Sequence, residues 1–215
     1  MLKMSHNLLR PVLSVASTPA TVTRFDGADP DYVDMGNVLA FNVDDDFQIE
    51  FNVRFATPPA SLATIVGKML DSGTYRGYRV DLTSDSTIKF NIYNSLTFRA
   101  VVTSVETLSA DIWHHVKVIY DGGESASGLR IFLNGVEATY VVNNDTLSGT
   151  IVALAPFNLG IRNAATLPFS GDLHTVKVSS SSFPADSTWL LQGDFEDSTG
   201  AFDGTNNGAE LVDYE

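Results

Sequence analysis

The chain has 215 residues, a length that suits one all-β sandwich and can bury a core without an external staple. It contains no cysteine, which excludes a disulfide framework and any thiolate metal site. Its 26 acidic residues against 13 basic ones give a formal charge of −13, which repels phosphate backbones and argues against nucleic acid as a partner.

Residues 1–20 carry apolar side chains without a period, among them Leu8, Leu9, Val12, Leu13 and Val15. Pro11 and Pro19 favour extended backbone there. This segment reads as an N-terminal arm, and residues 21–215 as the domain. Arg10 and Pro11 break the early apolar run, so no secretory signal peptide is expected. No later run approaches the ~18 apolar residues of a membrane span, so no membrane insertion is expected.

The clearest strand is Phe47 to Phe55, FQIEFNVRF, in which Phe47, Ile49, Phe51, Val53 and Phe55 share one face. Further along, Tyr78, Val80 and Leu82 share a face in GYRVDLT, as do Ile88, Phe90 and Ile92 in TIKFNIY. The pattern returns with Val116, Val118 and Tyr120 in HHVKVIY. Asn134-Gly135 separates LRIFL from VEATYVV and predicts a hairpin with a type I′ turn, since both residues tolerate positive φ. Asp71 to Gly73, Asp121 to Gly128 and Asn143 to Gly149 read as looser connections. No long stretch has helical spacing, and about a dozen short strands point to a sandwich or barrel.

Several segments, in order, carry a family resemblance. RFDGADPDYVDMG (Arg24 to Gly36) resembles the opening FDG-x-DDYV segment of laminin G-like and pentraxin-like jelly rolls. WHHVKVIYDG (Trp113 to Gly122) is similar to the family's central W-HHVAVTYDG strand, and LRIFLNGVEA to the hairpin after it. NLGIR and FSGDLHTVKVS (Phe169 to Ser179) resemble the closing pair. The resemblance implies a two-sheet antiparallel jelly-roll sandwich of the concanavalin A-like kind, with an extended N-terminal arm. The tail, WLLQGDFEDSTGAFDGTNNGAELVD, resembles a segment that usually opens such domains, so residues 188–213 are expected to complete the sheet from the other end.

Glycoside hydrolases share this sandwich and need two carboxylates facing one cleft, in a pattern resembling E-x-D-x-x-E. No such pattern occurs: Glu50 stands alone on its strand, and Glu196 and Asp197 are adjacent and would face opposite ways. The chain is therefore expected not to be an enzyme, with hydrolysis the remote alternative. His114 and His115 likewise point to opposite faces, a packing and hydrogen-bonding pair instead of a chelate. Many relatives bind calcium through loop oxygens, and Asp26, Asp172, Asp203 and Asn206 occupy matching regions. Against this, His174 and Thr175 stand where the family pattern has an acidic pair, so the expectation is no cofactor, with calcium as the alternative.

Two readings of function follow. The first is a structural and display module of a larger assembly, a phage virion protein (capsid decoration, head fibre or tail component) made in the host cytoplasm and carried on the virion surface. It would form a homo-oligomer, meet other virion proteins and contact cell-surface glycan. The second is a stand-alone carbohydrate-binding, lectin-like module, for which Tyr75, Arg76, Tyr93 and Asn94, expected in exposed turns, are the candidate contacts.

Overall fold

Two-residue alternation gives a strand one apolar face, and the sixteen short strands among the described residues bury their apolar faces between two antiparallel sheets. The computed structural model describes residues 21–28, 31–70, 73, 75–163, 166–182, 187–190, 195 and 203–213, with backbone alone for 187–190. The expected arm, residues 1–20, lies outside the described residues, as does most of the turn Asp71 to Gly73.

The back sheet runs β10 (Val136–Glu137), β9 (Leu129–Leu133), β8 (His114–Tyr120), β3 (Phe47–Arg54), β13 (Ser170–Ser179), β1 (Thr21–Asp26) and β16 (Glu210–Asp213). β14 (Ser187–Leu190) pairs with the second half of β13, in line with β1 on the same edge. The front sheet runs β11 (Tyr140–Asp145), β7 (Arg99–Thr107), β6 (Thr87–Tyr93), β5 (Gly77–Leu82), β4 (Ala63–Met69), β12 (Asn158–Leu159), β2 (Tyr32–Asp34) and β15 (Thr205–Asn207). The only helical turn among the described residues is a short 3-10 turn at Ala126–Gly128.

The apolar faces expected from the sequence meet in one core. Phe47 stacks on Phe41 at 4.4 Å and meets Phe90, on the opposite sheet, edge-on at 6.2 Å. The buried Tyr78 hydroxyl donates to the Leu39 carbonyl at 2.8 Å, which satisfies its polar end. Asn134 and Gly135 both have positive φ, at 52° and 83°, and join β9 to β10 as the expected tight hairpin.

Two details differ from the sequence reading. Asn143 to Asp145 belong to β11, which continues past a bulge instead of ending in a loop. The tail does not complete a single sheet: β15 borders β2 in the front sheet, and β16 borders β1 in the back sheet. β1 and β2 are consecutive but lie in opposite sheets, so the two tail strands that flank them straddle the sandwich as they do.

Candidate functional site

The outer faces of the two sheets differ in kind. On the back sheet the outward residues of β3, Gln48, Glu50, Asn52 and Arg54, are half-exposed as alternation predicts. On the front sheet β4 and β5 are buried on both faces, so polar residues line an enclosed surface.

Cross-strand register lays that surface out in rows. The middle row runs Asp34, Asn158, Gly67, Arg79, Asn91, Val101 and Asn144 across seven strands. On one side lies the row Thr64, Asp81, Lys89 and Thr103. On the other lies Met69, Gly77, Tyr93 and Arg99. Gly67 makes the middle row a trough: a Cβ there would stand 2.6 Å from Arg79 Cβ and 3.1 Å from the Tyr78 carbonyl oxygen.

A buried ion pair anchors the trough. Arg79 Nε donates to Asp81 Oδ2 at 2.8 Å, while Thr64 Oγ1 donates to Asp81 Oδ1 at 2.7 Å and Asn91 Nδ2 to Oδ2 at 2.8 Å. The carboxylate is thereby saturated, as a fully buried charge must be. The ring of Tyr93 lies under two guanidiniums, with Arg79 Cζ at 5.8 Å and Arg99 Cζ at 5.4 Å from its centroid. Other groups of the trough are left wanting. Both amide atoms of Asn158, Asn91 Oδ1 and Arg99 Nε are buried without a hydrogen-bond partner. Lys89 is half-buried, and its ammonium is held below the ordinary lysine range by burial first, which Asp81 opposes and Arg79 and Arg99 reinforce.

Sequence reasoning reached the edge of this face. Tyr75 and Tyr93 do come together, packed with Met69 and Val101, and Arg162 stacks on Tyr75 at 5.6 Å. Tyr93 is buried, however, and not in an exposed turn, because it is the last outward residue of β6. Asn94 Nδ2 is committed to the Ser148 carbonyl at 2.6 Å. Arg76 Nε is buried and unpartnered. Asn91, Asn158, Lys89 and Arg99 were not singled out; for Lys89 and Asn91 the readable signal was a cation and an amide at successive outward positions of TIKFNIY.

The four calcium candidates do not form one site. Both Asp172 oxygens are taken by guanidiniums, Oδ1 by Arg24 Nε at 2.8 Å and Oδ2 by Arg54 Nη2 at 2.9 Å. Asn206 Nδ2 donates to the Ala209 carbonyl in the connection from β15 to β16, and Asp203 is exposed. Among the described residues no three Asp, Glu, His or Cys side chains converge as a metal site requires. Asp26 instead lines a cleft of about 420 Å³ with Arg54, Asp111 and Asp172. Its backbone N–H donates to Asp31 Oδ2. Burial raises the Asp31 carboxyl to a pKa of about 6. The histidine pair separates as expected: His114 is buried between Ser109 and Asn134, and His115 faces outward 3.4 Å from Glu50.

A laminin G family model, described as the concanavalin A-like lectin/glucanases superfamily, matches residues 26–187. The chain belongs to that superfamily. Its concanavalin A-like core is similar to domains LG4-5 of the mouse laminin alpha1 chain, with a TM-score of 0.62 at 14% identity over 90% of this chain and 48% of that one. The K499G mutant of the NanB sialidase from Streptococcus pneumoniae gives 0.55 at 10% identity, over 75% of this chain and 26% of the sialidase. The native heptameric SAP-like pentraxin from Limulus polyphemus gives 0.48 at 13%, over 74% and 75%. The chain thus spans about half of the laminin fragment, and identities this low carry the fold alone. A search of curated proteins returned no match.

Proposed function

We propose that this concanavalin A-like domain is a non-catalytic glycan-binding module and that the trough on the outer face of its front sheet is the binding surface. The observation that carries the reading is Asn158, fully buried with both amide atoms unpaired, in the same row as the unpaired Asn91 Oδ1 three strands away. An unsatisfied buried amide costs ~1–3 kcal/mol, and a protein that keeps several in one trough has a use for them. Sugar hydroxyls, each donor and acceptor, suit amides and guanidiniums of this kind, and Tyr93 adds an aromatic edge.

The same face supports a non-catalytic reading. Asp81 is locked by Thr64, Arg79 and Asn91. Asp34 lies three strands from it, about 14 Å at the usual strand spacing, wider than the ~6.5–9.5 Å of an inverting carboxylate pair.

The test is Asn158→Leu. Removing an unsatisfied amide in favour of apolar bulk should raise the melting temperature by a few degrees. On a glycan array the same variant should lose the signal of the parent protein. A fall in melting temperature with retained glycan binding would assign Asn158 to the scaffold and overturn the reading.

A second reading is favoured by the apolar composition of residues 1–20, with prolines at 11 and 19. We propose that this segment attaches the domain to copies of itself and to a virion, which would then display the glycan-binding face. Deleting residues 2–18 should leave the melting temperature unchanged and lower the oligomeric mass or co-sedimentation with particles. Unfolding of the deleted chain would contradict it.

A further inference from the structure

The strand order ends in β10 and β16 at the back and in β11 and β15 in front. Sheet edges avoid pairing by being short or charged. β10 has two residues and β15 three, while β16 begins and ends on an acid, Glu210 and Asp213. β11 has neither defence: it runs six residues, and Tyr140 to Asn144 carry no charge. Its bulge lies past Val142 and leaves Tyr140 to Val142 regular. Asp145 at its end accepts from the Ala126 N–H at 2.7 Å and Ser125 Oγ at 3.2 Å, so that charge is turned back into its own chain. Among the described residues β11 borders β7 alone. Val105 N–H donates to the Thr139 carbonyl at 2.8 Å. Antiparallel alternation then turns the backbone groups of Val141 to β7 and those of Tyr140 and Val142 to the open side. Exposed valines gather on the same flank: Val141 and Val142 on β11, Val105 on β7, and Val136 on β10, which leads into β11 through Ala138 and Thr139.

We infer that the β11 edge pairs with the β11 edge of a second copy, antiparallel, about a twofold axis at Val141. Tyr140 of each copy then exchanges both backbone hydrogen bonds with Val142 of the other, and Val141 meets its own counterpart as a close β-branched pair. The occupant is a second copy because the edge is self-complementary in charge. Two chains of formal charge −13 repel each other, and a like copy can approach only along a strand that brings no acid to meet its own. A basic partner would be drawn to the acidic β16 edge instead, since Tyr140 to Asn144 offer it no countercharge. The pairing joins the two front sheets into one and places both troughs on the same side of it.

Sedimentation equilibrium of the full chain tests this. The mass should be that of two chains, and association should tighten as salt is raised, because salt screens the repulsion between acidic copies. Val141→Lys, at a side chain 54% exposed, should weaken self-association about tenfold or more with the melting temperature held, since two ammoniums would meet at the axis. The chain has no cysteine, so single cysteines report contacts directly. Val141→Cys should form a disulfide-linked pair under mild oxidation, because a close antiparallel pair lies within disulfide reach. Leu154→Cys, 79% exposed outside the strands, should not. A parent that stays monomeric, a Val141→Lys variant that keeps the parent's mass, or cross-linking at Leu154→Cys as fast as at Val141→Cys would each overturn the edge pairing. So would a chain lacking residues 2–18 that turns monomeric while Val141→Lys does not, which would assign the contact to that segment.

Discussion

Asp81→Asn should destabilise the domain more than any other single isosteric change on the front-sheet face. Asp81 is fully buried, and its two oxygens accept from Arg79 Nε, Asn91 Nδ2 and Thr64 Oγ1 at 2.7–2.8 Å. An amide keeps one acceptor oxygen but turns an NH2 group towards donors. It also leaves Arg79, only 6% exposed, as an uncompensated charge. Breaking one side of a buried pair costs ~3–5 kcal/mol, whereas replacing both partners by apolar residues of similar volume is close to neutral. At ~2–4 °C per kcal/mol for a chain of this size, the single variant should melt ~6–20 °C below the parent. The double variant Arg79→Met, Asp81→Leu should recover most of that loss. Urea unfolding of the parent, Arg79→Met, Asp81→Leu and their double gives the coupling energy directly. A single-variant cost under ~1 kcal/mol, or a double variant no better than the single, would refute the account of the ion pair.

Asp31 offers a pH test. Its pKa is raised from 3.8 to about 6, by burial first, so between those values the folded state holds the proton more firmly than the unfolded state does. Its contribution to stability therefore falls as pH rises through that window, by about 1–3 kcal/mol, and the penalty is complete above it. Asp31→Asn, whose carbonyl oxygen can still accept from the Asp26 N–H, should raise the melting temperature at pH 7.5 and leave it unchanged at pH 3.5. A variant less stable than the parent at pH 7.5 would contradict the assignment. A chain ending at Ser187 should be insoluble or molten, because β15 and β16 cover the open edges of β2 and β1. A cooperative melting transition of the truncated chain would show those edges to be dispensable.

The back sheet was legible from the sequence and the front sheet only in part, for one physical reason. FQIEFNVRF has a wet face, so apolar and polar residues alternate openly, and Phe47 to Phe55 fill the core as expected. GYRVDLT and TIKFNIY alternate just as openly, and that pattern cannot show that Arg79, Asp81 and Asn91 are buried as well. Their environment depends on register: Gly67 opposite Arg79, and Asn158 beside Gly67, come from segments far apart in the chain. The buried Lys68, 1% exposed, escaped for the same reason, since its partners Asn37 and Ala155 lie in loops. Tyr75 and Tyr93 were found because aromatic residues near turns stand out locally. The ion pairs of Asp172 were not legible, because sequence places it in a loop region but cannot show Arg24 and Arg54 converging on it.

The most direct test of the binding face is an amide chemical-shift titration of the full chain with an oligosaccharide that scores on the glycan array. The account predicts shifts concentrated on Asn91, Tyr93, Arg99, Gly67 and Asn158, saturating together with one dissociation constant. Shifts centred instead on the cleft of Asp26, Arg54 and Asp111, with the front-sheet residues unmoved, would contradict it.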